Sequence, residues 1–360
     1  MKAKTNKSDL YQALCASFKA VPAKALFPIM EDFLLDVQDG KMEVTATDGS
    51  MTIVATTVAE GEGKTCINAK MLLDAVRLLP DTDIEITADN GTAEINYGSG
   101  KFSIPCFGAE DFPDVSVETE NETVIASDDL KSALTYVLPC VAKDPMRPAL
   151  NGVFFNPVDG GYDIVATETR ALAVQTVACE PKTKEAIIPT AAATFIKDNL
   201  KADGEVLFGE TESKAVFTFE QVKMSVTKVV GAFPKYQAVI PIANENKLDA
   251  PTEELLSSVR RVATCANKAS NAVKFNLSAL GGATIEAQDL GFGCAAKEDM
   301  GFIKYEGDDL IIGFKHDLLA NLLAAIDEAD VTMSFSHPKG AALITTENEN
   351  RKALLMPVAV

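Results

Sequence analysis

The sequence has few of the side chains on which enzymes and metal sites rely. Its 360 residues include two histidines, His316 and His337, and seven cysteines with no C-x-x-C pair. General bases and soft metal ligands are therefore scarce. An odd number of scattered cysteines predicts reduced, mostly buried thiols, and neither a disulfide framework nor a zinc site. We expect no metal and no cofactor.

Long apolar runs are also missing. No stretch approaches the roughly 18 apolar residues needed to cross a bilayer. The lysines of the N-terminal MKAKTNKSDL are not followed by the apolar segment of a secretory signal. We therefore expect a cytoplasmic protein without membrane association. The length fits two or three domains, and 47% apolar residues provide for packed cores.

The common catalytic motifs are absent as well. The sequence contains no G-x-x-x-x-G-K-[ST], G-x-G-x-x-G, H-E-x-x-H or G-x-S-x-G pattern. Gly291-Phe292-Gly293 is predicted to be a simple turn. His316 is expected near the start of a helix, as a surface or capping residue, and His337 in a loop. An enzyme is therefore disfavoured, and no catalytic residue is assigned.

One sequence pattern occurs three times along the chain. The segments VTATDGSMTIVAT, IVATETRALAVQT and IEAQDLGFGCAAK each combine an alternating strand, an acidic turn and a second alternating strand. Their acids, Asp48, Glu168 and Asp289, recur at intervals close to 120 residues. Because the acids belong to separate repeats, we expect each to fix its own turn and not a shared metal. Hairpin signals recur just upstream, at Asp39-Gly40, Asp159-Gly160 and Gly281-Gly282.

Helical patterns recur with the same period. Cap-like Ser8, Ser127 and Thr252 each precede acids and then apolar residues at helical spacing. These apolar residues are Leu10, Leu14 and Phe18; Leu130, Leu134, Val137 and Val141; and Leu255, Val259 and Val262. The six helix-bearing segments are 7–24, 68–80, 127–147, 189–201, 252–268 and 315–328. The sequence predicts an α+β fold of three repeated domains, 1–120, 121–246 and 247–360, each with two helices packed on antiparallel sheets.

Charge is distributed unevenly between these segments and the remainder of the chain. The formal net charge is −19, which taken alone argues against nucleic acid. The six helix-bearing segments nevertheless carry 14 basic and 11 acidic residues, so the remainder is strongly acidic. For any single lysine, an ordinary solvated helix face is the simpler interpretation. As a whole, the pattern is typical of a polyanion held loosely on one face and repelled elsewhere.

Several segments together carry a family resemblance. They are ALFPIMEDFLL, VTATDGSMTI, AKMLLDAVRLLP, FSIPCFGAEDFP, RPALNGVFF, VATETRALAV, FPKYQAVIP, IGFKHDLLANLLAAI and LLMPV. In this order and at these separations, the chain resembles the bacterial DNA polymerase III beta subunit (beta sliding clamp) family over essentially its full length. The resemblance implies three DNA-clamp domains per chain and a head-to-tail homodimer that closes into a ring.

The resemblance also implies a function and partners. Helices would line the hole of the ring, and double-stranded DNA would pass through without sequence-specific contacts. Such a processivity factor tethers the DNA polymerase catalytic subunit, a clamp loader and other proteins that carry a clamp-binding motif. The alternative is a clamp-like protein-binding scaffold that does not encircle DNA.

Two sets of residues follow from the resemblance. Basic residues on or beside the helices would contact DNA phosphates: Lys24, Lys70, Arg77, Lys143, Arg147, Lys197 and Lys201. An apolar pocket between the second and third domains would bind partner peptides, and it would be built from Leu150, Thr167, Arg170, Leu172, Pro234, Val239, Met356, Pro357 and Val358.

The chain departs from the family at this pocket. The turn after Thr167 usually reads acid-Gly-His/Ser-Arg, and here it is Glu168-Thr169-Arg170-Ala171. The tail usually ends in a basic residue and leucine, and here it ends in Ala359-Val360. Ala238 stands at a position that is often basic. The pocket is thus less basic, as expected of a divergent lineage or a mobile element paired with its own polymerase.

Overall fold

The computed structural model describes residues 1–98 and 100–360. Within them, one order of elements occurs three times: strand, helix, four strands, helix, three strands. The first copy consists of β1 (Lys2–Asn6), α1 (Lys7–Ser17), β2 (Asp32–Gln38), β3 (Lys41–Thr47), β4 (Met51–Val58), β5 (Glu60–Asn68), α2 (Ala69–Arg77), β6 (Asp83–Asp89), β7 (Thr92–Tyr97) and β8 (Gly100–Phe107).

The second and third copies follow the same order, and the third has one extra short strand at Lys304–Glu306. The second copy consists of β9 (Glu122–Ala126), α3 (Ser127–Val137), β10 (Gly152–Val158), β11 (Gly161–Thr167), β12 (Ala171–Ala178), β13 (Ala186–Pro189), α4 (Thr190–Asn199), β14 (Glu205–Glu210), β15 (Lys214–Phe219) and β16 (Val222–Thr227). The third consists of β17 (Asn246–Pro251), α5 (Thr252–Ala263), β18 (Ala272–Ser278), β19 (Gly282–Asp289), β20 (Cys294–Asp299), β21 (Lys304–Glu306), β22 (Leu310–Lys315), α6 (His316–Ala324), β23 (Asp330–Phe335), β24 (Ala342–Thr345) and β25 (Arg351–Leu355).

The helices are shorter than the predicted segments, and proline explains much of the difference. Helix α1 ends five residues before Pro22, α2 ends before Pro80, and α3 ends before Pro139. A proline removes one backbone donor and disfavours helical geometry at the residue before it. Short 3-10 turns continue some of these ends, at Phe18–Ala20 after α1 and Leu138–Cys140 after α3. No helix among the described residues is long and apolar enough to cross a membrane.

The predicted apolar faces are confirmed, whereas the predicted caps were displaced. Leu10, Leu14, Leu130, Leu134, Val137, Leu255, Val259 and Val262 are all buried, while Phe18 and Val141 lie beyond the helix ends and are half-buried. The side chain of Asn6, not Ser8, caps α1 by accepting the Ser8 N–H at 2.8 Å. Ser127 and Thr252 are the first residues of their helices. A cap must stand one residue before the first helical φ/ψ pair, which a Ser-Asp pattern alone does not fix.

The chain divides into two compact units, residues 1–128 with 198–228 and residues 129–197 with 229–360. The first unit contains a 12-stranded sheet in the order β1-β6-β7-β8-β5-β2-β3-β4-β16-β15-β14-β9. The second unit contains a nine-stranded sheet, β13-β10-β11-β12-β25-β24-β23-β17-β21, and a four-stranded sheet, β20-β19-β18-β22. The pairings in all three sheets are antiparallel, as the α+β prediction required.

One strand pairing occurs twice with the same register. In the first unit, residues 51–55 of β4 pair with residues 226–222 of β16. In the second unit, residues 171–175 of β12 pair with residues 355–351 of β25. In both cases the fourth strand of one repeat pairs with the last strand of the next. The fourth strand of the third repeat, β20, pairs only with β19 among the described residues.

Two of the three predicted hairpins have the expected two-residue turns. Gln38 pairs with Lys41, and Asp39 and Gly40 both have positive φ; Val158 likewise pairs with Gly161. The third prediction was wrong in detail. Ser278 pairs with Gly282, so the loop has three residues, and only the second glycine of Gly281-Gly282 has a positive φ, +81°.

The prediction of seven reduced cysteines was also wrong. Cys265 and Cys294 form a disulfide with their Cα atoms 5.4 Å apart, and the other five cysteines are free. Cys265 follows α5, and Cys294 is the first residue of β20. The fold brings together two residues separated by 29 positions in the sequence, and this spacing carries no motif that could have indicated the pair.

Candidate functional site

The three repeated acids each organise their own turn. One carboxylate oxygen of Asp48 accepts the N–H groups of Ser50 and Met51, at 2.8 and 2.7 Å. Glu168 accepts those of Arg170 and Ala171, both at 2.8 Å. The side chain of Asp289 does the same for Gly291 and Phe292, at 2.9 and 3.3 Å. The prediction of local turn-fixing roles is confirmed.

The histidines and acids form no reactive constellation in the part of the chain that the structure describes. No group of His, Cys, Asp and Glu there is placed to hold a metal ion. His316 opens α6, and its N–H donates to the Asn271 carbonyl at 2.8 Å. The Nδ1 atom of His337 accepts the Lys339 N–H at 3.1 Å within a loop. Both histidines therefore occupy the structural positions expected from the sequence.

The candidate pocket starts at the turn between β11 and β12. Thr167, at the end of β11, is buried; its hydroxyl donates to the Ala171 carbonyl at 2.7 Å and accepts the Thr169 N–H at 3.1 Å. Thr169 has φ +82°, a region that favours glycine, and Gly49 has φ +88° in the matching turn of the first repeat. The family's usual glycine at this position thus has a geometric reason, and threonine stands there under backbone strain.

A compact apolar cluster lies beneath this turn. Leu172 packs in one buried cluster with residues from five strands and one 3-10 turn of the second unit: Phe154, Val165, Val174, Ile187, Tyr236 and Leu354. Ala149, Phe233 and Ile240 pack against it while half-buried, and the rings of Phe154 and Phe233 stack with centroids 4.6 Å apart. These three are chain neighbours of Leu150, Pro234 and Val239, so the structure brings the predicted segments together.

Tyr236 anchors the segment that carries Pro234 and Val239. Its hydroxyl donates to Asp163 at 2.5 Å and accepts the side-chain N–H of Asn156 at 2.9 Å. Burial, together with the bond to Asp163, raises the pKa of Tyr236 well above its ordinary value, so the hydroxyl stays a donor. The segment FPKYQAVIP alone does not indicate the roles of Tyr236 and Phe233, because their apolar neighbours are far away in the sequence.

The rim of the pocket is apolar and accessible. Val239 is 57% exposed and Met356 is 41% exposed, and Pro234 is exposed as well. Leu150 and Leu172 are buried. Exposed apolar side chains are what a short hydrophobic peptide motif contacts, and methionine adapts to varied partners.

The chain end is fixed by two backbone hydrogen bonds. The Met356 N–H donates to the Arg170 carbonyl at 2.7 Å, directly after the pairing of Ala171 with Leu355. The Val358 N–H donates to the Gly313 carbonyl at 2.8 Å. A Cβ atom on Gly313 would lie 3.1 Å from the Val358 carbonyl oxygen and 2.1 Å from a methyl group of Val360, so glycine leaves room for this close approach of the tail. Gly313 supports the site and was not predicted.

The predicted DNA-contacting residues lie mostly beside the helices, not on them. Lys70 and Arg77 are on α2 and Lys197 is on α4, whereas Lys24, Lys143, Arg147 and Lys201 lie in the loops that follow helices or 3-10 turns. Lys197 is half-buried and the other six are exposed. Three of them face acids: Arg77 with Asp74 at 3.2 Å, Arg147 with Asp144 at 2.9 Å, and Lys201 with Glu220 at 3.7 Å.

The charge segregation is weaker than the sequence segments indicated. Within the observed bounds of α1 to α6 there are seven basic and eight acidic residues, so the helices are nearly neutral. The excess of basic residues in the six predicted helix-bearing segments comes from the loops that flank the helices, because those segments were longer than the helices. The strongly acidic character of the rest of the chain remains, and a nearly neutral helical surface still repels a polyanion least.

The order of helices and strands that occurs three times, with an acid fixing the matching turn in each copy, is the architecture of a clamp-type accessory protein. The family descriptions "DNA polymerase III beta subunit, N-terminal domain" and "DNA polymerase III beta subunit, C-terminal domain" match residues 1–116 and 237–359. The chain is 28% identical to the beta sliding clamp of Rickettsia felis, over 98% of its own length and 97% of that protein's.

Solved structures show the same fold over the whole chain. The sliding clamp of Pseudomonas aeruginosa bound to griselimycin superposes with a TM-score of 0.94 at 23% identity, with full coverage of both chains. The sliding clamp of Bartonella birtlesii bound to griselimycin gives a TM-score of 0.93 at 26% identity, again with full coverage. The chain belongs to the DNA polymerase III beta subunit family, the beta sliding clamps. It is a DNA sliding clamp and not an enzyme.

Proposed function

We propose that two copies of this chain close into a ring around double-stranded DNA and hold a DNA polymerase catalytic subunit on its template. In this proposal the chain consists of three clamp domains, residues 1–120, 121–246 and 247–360, and acts in the cytoplasm. A clamp loader and other proteins with clamp-binding motifs are the further partners. A closed ring stays on DNA without tight binding, so weak phosphate contacts are sufficient and permit sliding.

The observation that carries the proposal is the free edge of β20. Strands β4 and β12 each pair on one side with the last strand of the following repeat. Strand β20 is the third member of this series, and among the described residues it pairs with β19 alone. Conversely, β8 is the last strand of the first repeat. Residues 100–105 of β8 pair with β7 alone among the described residues, since β5 reaches only Cys106 and Phe107.

A second copy supplies the missing partner for each edge. Pairing β20 with β8 of another chain repeats the register seen twice within one chain and places residues 294–298 opposite 104–100. The contact is heterologous, and two such contacts close a ring of two chains with six domains and twelve helices. Exposed residues on both edges, Lys101 and Ser103 on β8 and Ala295 and Lys297 on β20, fit an interface left open in one chain.

Partner peptides would bind in the groove built from Leu150, Thr167, Arg170, Leu172, Pro234, Val239, Met356, Pro357 and Val358. What supports this is the convergence of the segments on one apolar cluster and the exposed rim formed by Val239 and Met356. Arg170 is the only basic member of the set, so apolar anchors would provide most of the affinity. The DNA-contacting set would be Lys24, Lys70, Arg77, Lys143, Arg147, Lys197 and Lys201.

Cysteine cross-linking tests the pairing of the two edges. The proposed register places Ser103 of one chain directly opposite Ala295 of the other, within the Cα separation that a disulfide spans. The Ser103→Cys/Ala295→Cys variant should form covalent dimers on mild oxidation, and neither single variant should. The matched control is Ser103→Cys with Asp299→Cys, which the same register keeps apart. Equal cross-linking of both pairs, or a monomer in sedimentation at micromolar concentration, would contradict the proposed ring.

A further inference from the structure

Strand β20 is held to α5 at two points. Near its end, Glu298 accepts the Ser258 hydroxyl at 2.7 Å and the Arg261 Nε at 3.0 Å. At its start, Cys294 is bonded to Cys265, which follows α5. Residues 294, 296 and 298 are half-buried, while the residues between them are exposed, so both ties lie on the face of β20 that is turned toward α5.

The equivalent strands of the other repeats have a second neighbouring strand at their edge. Strands β4 and β12 are each held between two strands, whereas β20 pairs with β19 alone among the described residues. An edge strand with a single neighbour frays readily, and its ends are the first to do so. The covalent bond at Cys294 thus fixes the strand at the end where it leaves the turn of Gly291 and Phe292.

The two cysteines are brought together by contacts that do not depend on the bond between them. The Nζ atom of Lys268 lies 5.6 Å from the ring centroid of Phe292, joining the segment after α5 to the turn before β20. The Cys265 N–H donates to the Val262 carbonyl at 3.1 Å, which places the cysteine at the helix end. Reduced thiols would therefore remain neighbours, as reversible thiol–disulfide chemistry requires.

We propose that Cys265 and Cys294 are a reversible redox modification site that controls how firmly the ring closes. This inference rests on the proposed pairing of β20 with β8 of a second chain. In that register Ile104 of β8 lies directly opposite Cys294, so the disulfide is adjacent to the interface. Oxidation fixes β20 in its paired conformation before the second chain arrives, which lowers the ordering cost of association. Reduction frees the start of the strand and weakens closure.

The chemistry balances with a small disulfide such as oxidised glutathione. One thiolate attacks a glutathione sulfur, a mixed disulfide forms, and the second thiolate displaces glutathione. Two cysteine thiols thereby give up two electrons and two protons, and one glutathione disulfide becomes two glutathione thiols. A dithiol reductant such as dithiothreitol reverses the exchange.

The test compares the dimer dissociation constant of the full chain in glutathione disulfide and in dithiothreitol, measured by sedimentation over a dilution series. The dimer dissociation constant should be about tenfold lower for the oxidised protein than for the reduced protein, a magnitude typical of preorganising one interface element. The Cys265→Ser/Cys294→Ser variant should behave as the reduced protein in both conditions. The matched control, Cys15→Ser/Cys179→Ser, removes two half-buried free thiols and should keep the full redox response.

The outcomes separate this inference from the proposed function. Dimers of equal affinity in both redox states would overturn the redox site and leave the ring intact. Monomers in both states would overturn the ring itself. Thiol labelling followed by peptide mapping provides a second readout, because Cys265 and Cys294 should react after reduction and be protected after oxidation. A pair that stays reduced in glutathione disulfide at every concentration would also overturn the inference.

Discussion

Arg351 and Gln175 form a buried hydrogen bond, 2.9 Å from Nε to Oε1, between residues 176 positions apart. The Arg351 side chain is 4% exposed, and its guanidinium also bonds Asp327, Glu328 and Ser132. Burial alone would lower the pKa of Arg351, but the bonds to Asp327 and Glu328 outweigh it and raise the pKa. The Arg351 side chain thus connects β25 to the preceding repeat, through Gln175 of β12, the strand that also carries Leu172.

Arg351→Ala should lower the free energy of unfolding by about 3 kcal/mol, because it leaves the buried Gln175 amide without its donor and the largely buried Glu328 without its counter-charge. Lys352→Ala is the matched control, since Lys352 is exposed and neighbours Arg351 in the same strand. That change should cost less than about 0.5 kcal/mol. Denaturant titration measures both variants. Similar losses in the two would show that the buried network contributes little.

Thr169→Gly should stabilise the protein by about 1 kcal/mol. A β-branched residue with φ +82° stores strain that glycine releases, and this gain exceeds the entropic cost of glycine. The reciprocal change, Gly49→Thr in the first repeat, should destabilise by a similar amount, since Gly49 has φ +88°. Thermal unfolding of both variants checks the pair. A destabilised Thr169→Gly protein would mean that the threonine side chain supports the turn more than the strain opposes it.

Because of Asp32, the free energy of unfolding should fall as the pH rises from about 4 to about 6. Burial raises the pKa of its carboxyl to about 6, against an ordinary value near 3.8. In this window the folded protein binds more protons than the unfolded chain, so rising pH favours unfolding until the carboxyl has ionised. Asp32→Asn removes that loss, and its advantage over the parent should grow to on the order of 2 kcal/mol by pH 7. Asp9→Asn, on the exposed face of α1, controls for loss of a negative charge, and a constant offset for Asp32→Asn across pH would contradict the prediction.

Removing Met356 to Val360 should abolish stimulation of the polymerase and leave dimerisation intact. The segment is held by two backbone hydrogen bonds, to the carbonyl groups of Arg170 and Gly313. Its exposed Met356 forms part of the rim of the proposed peptide groove. Met356→Ala alone should weaken a partner peptide by about 2 kcal/mol, or roughly 30-fold. Fluorescence anisotropy with a labelled clamp-binding peptide measures both. Loss of the dimer on truncation, or unchanged peptide affinity, would place the partner site elsewhere.

Replacing Lys24, Arg147 and Lys197 together by alanine should weaken binding to duplex DNA equally for all sequences. The slope of the logarithm of the DNA association constant against the logarithm of the salt concentration should become shallower by about two to three. Each lost phosphate contact reduces the steepness of this slope by about 0.9. The control replaces Lys41, Lys182 and Lys214, which lie in strands or loops away from the helices, and it should leave the slope unchanged. If the control replacements weaken DNA binding and change the slope equally, the basic residues on and beside the helices have no special role in binding DNA.

The sequence predicted those features that repeat locally. Asp48, Glu168 and Asp289 could be assigned to turns because an acid accepts N–H groups two and three residues ahead, whatever the rest of the fold does. Leu10 and Leu255 could be assigned to the core because helical spacing sets which face is apolar. The Cys265–Cys294 bond, the role of Gly313 and the buried Arg351 could not be predicted. Each depends on residues far apart in the sequence that only the folded chain brings together.

Encirclement of DNA is tested most directly by capturing a covalently closed ring on a plasmid. The Ser103→Cys/Ala295→Cys protein is mixed with nicked circular plasmid, oxidised to cross-link both interfaces, and passed through a sizing column in high salt. Cross-linked protein should elute with the circular plasmid and should be released when a restriction enzyme linearises it. Protein that never stays with the circle in high salt, or that stays equally well on DNA linearised beforehand, would show that the chain does not encircle DNA.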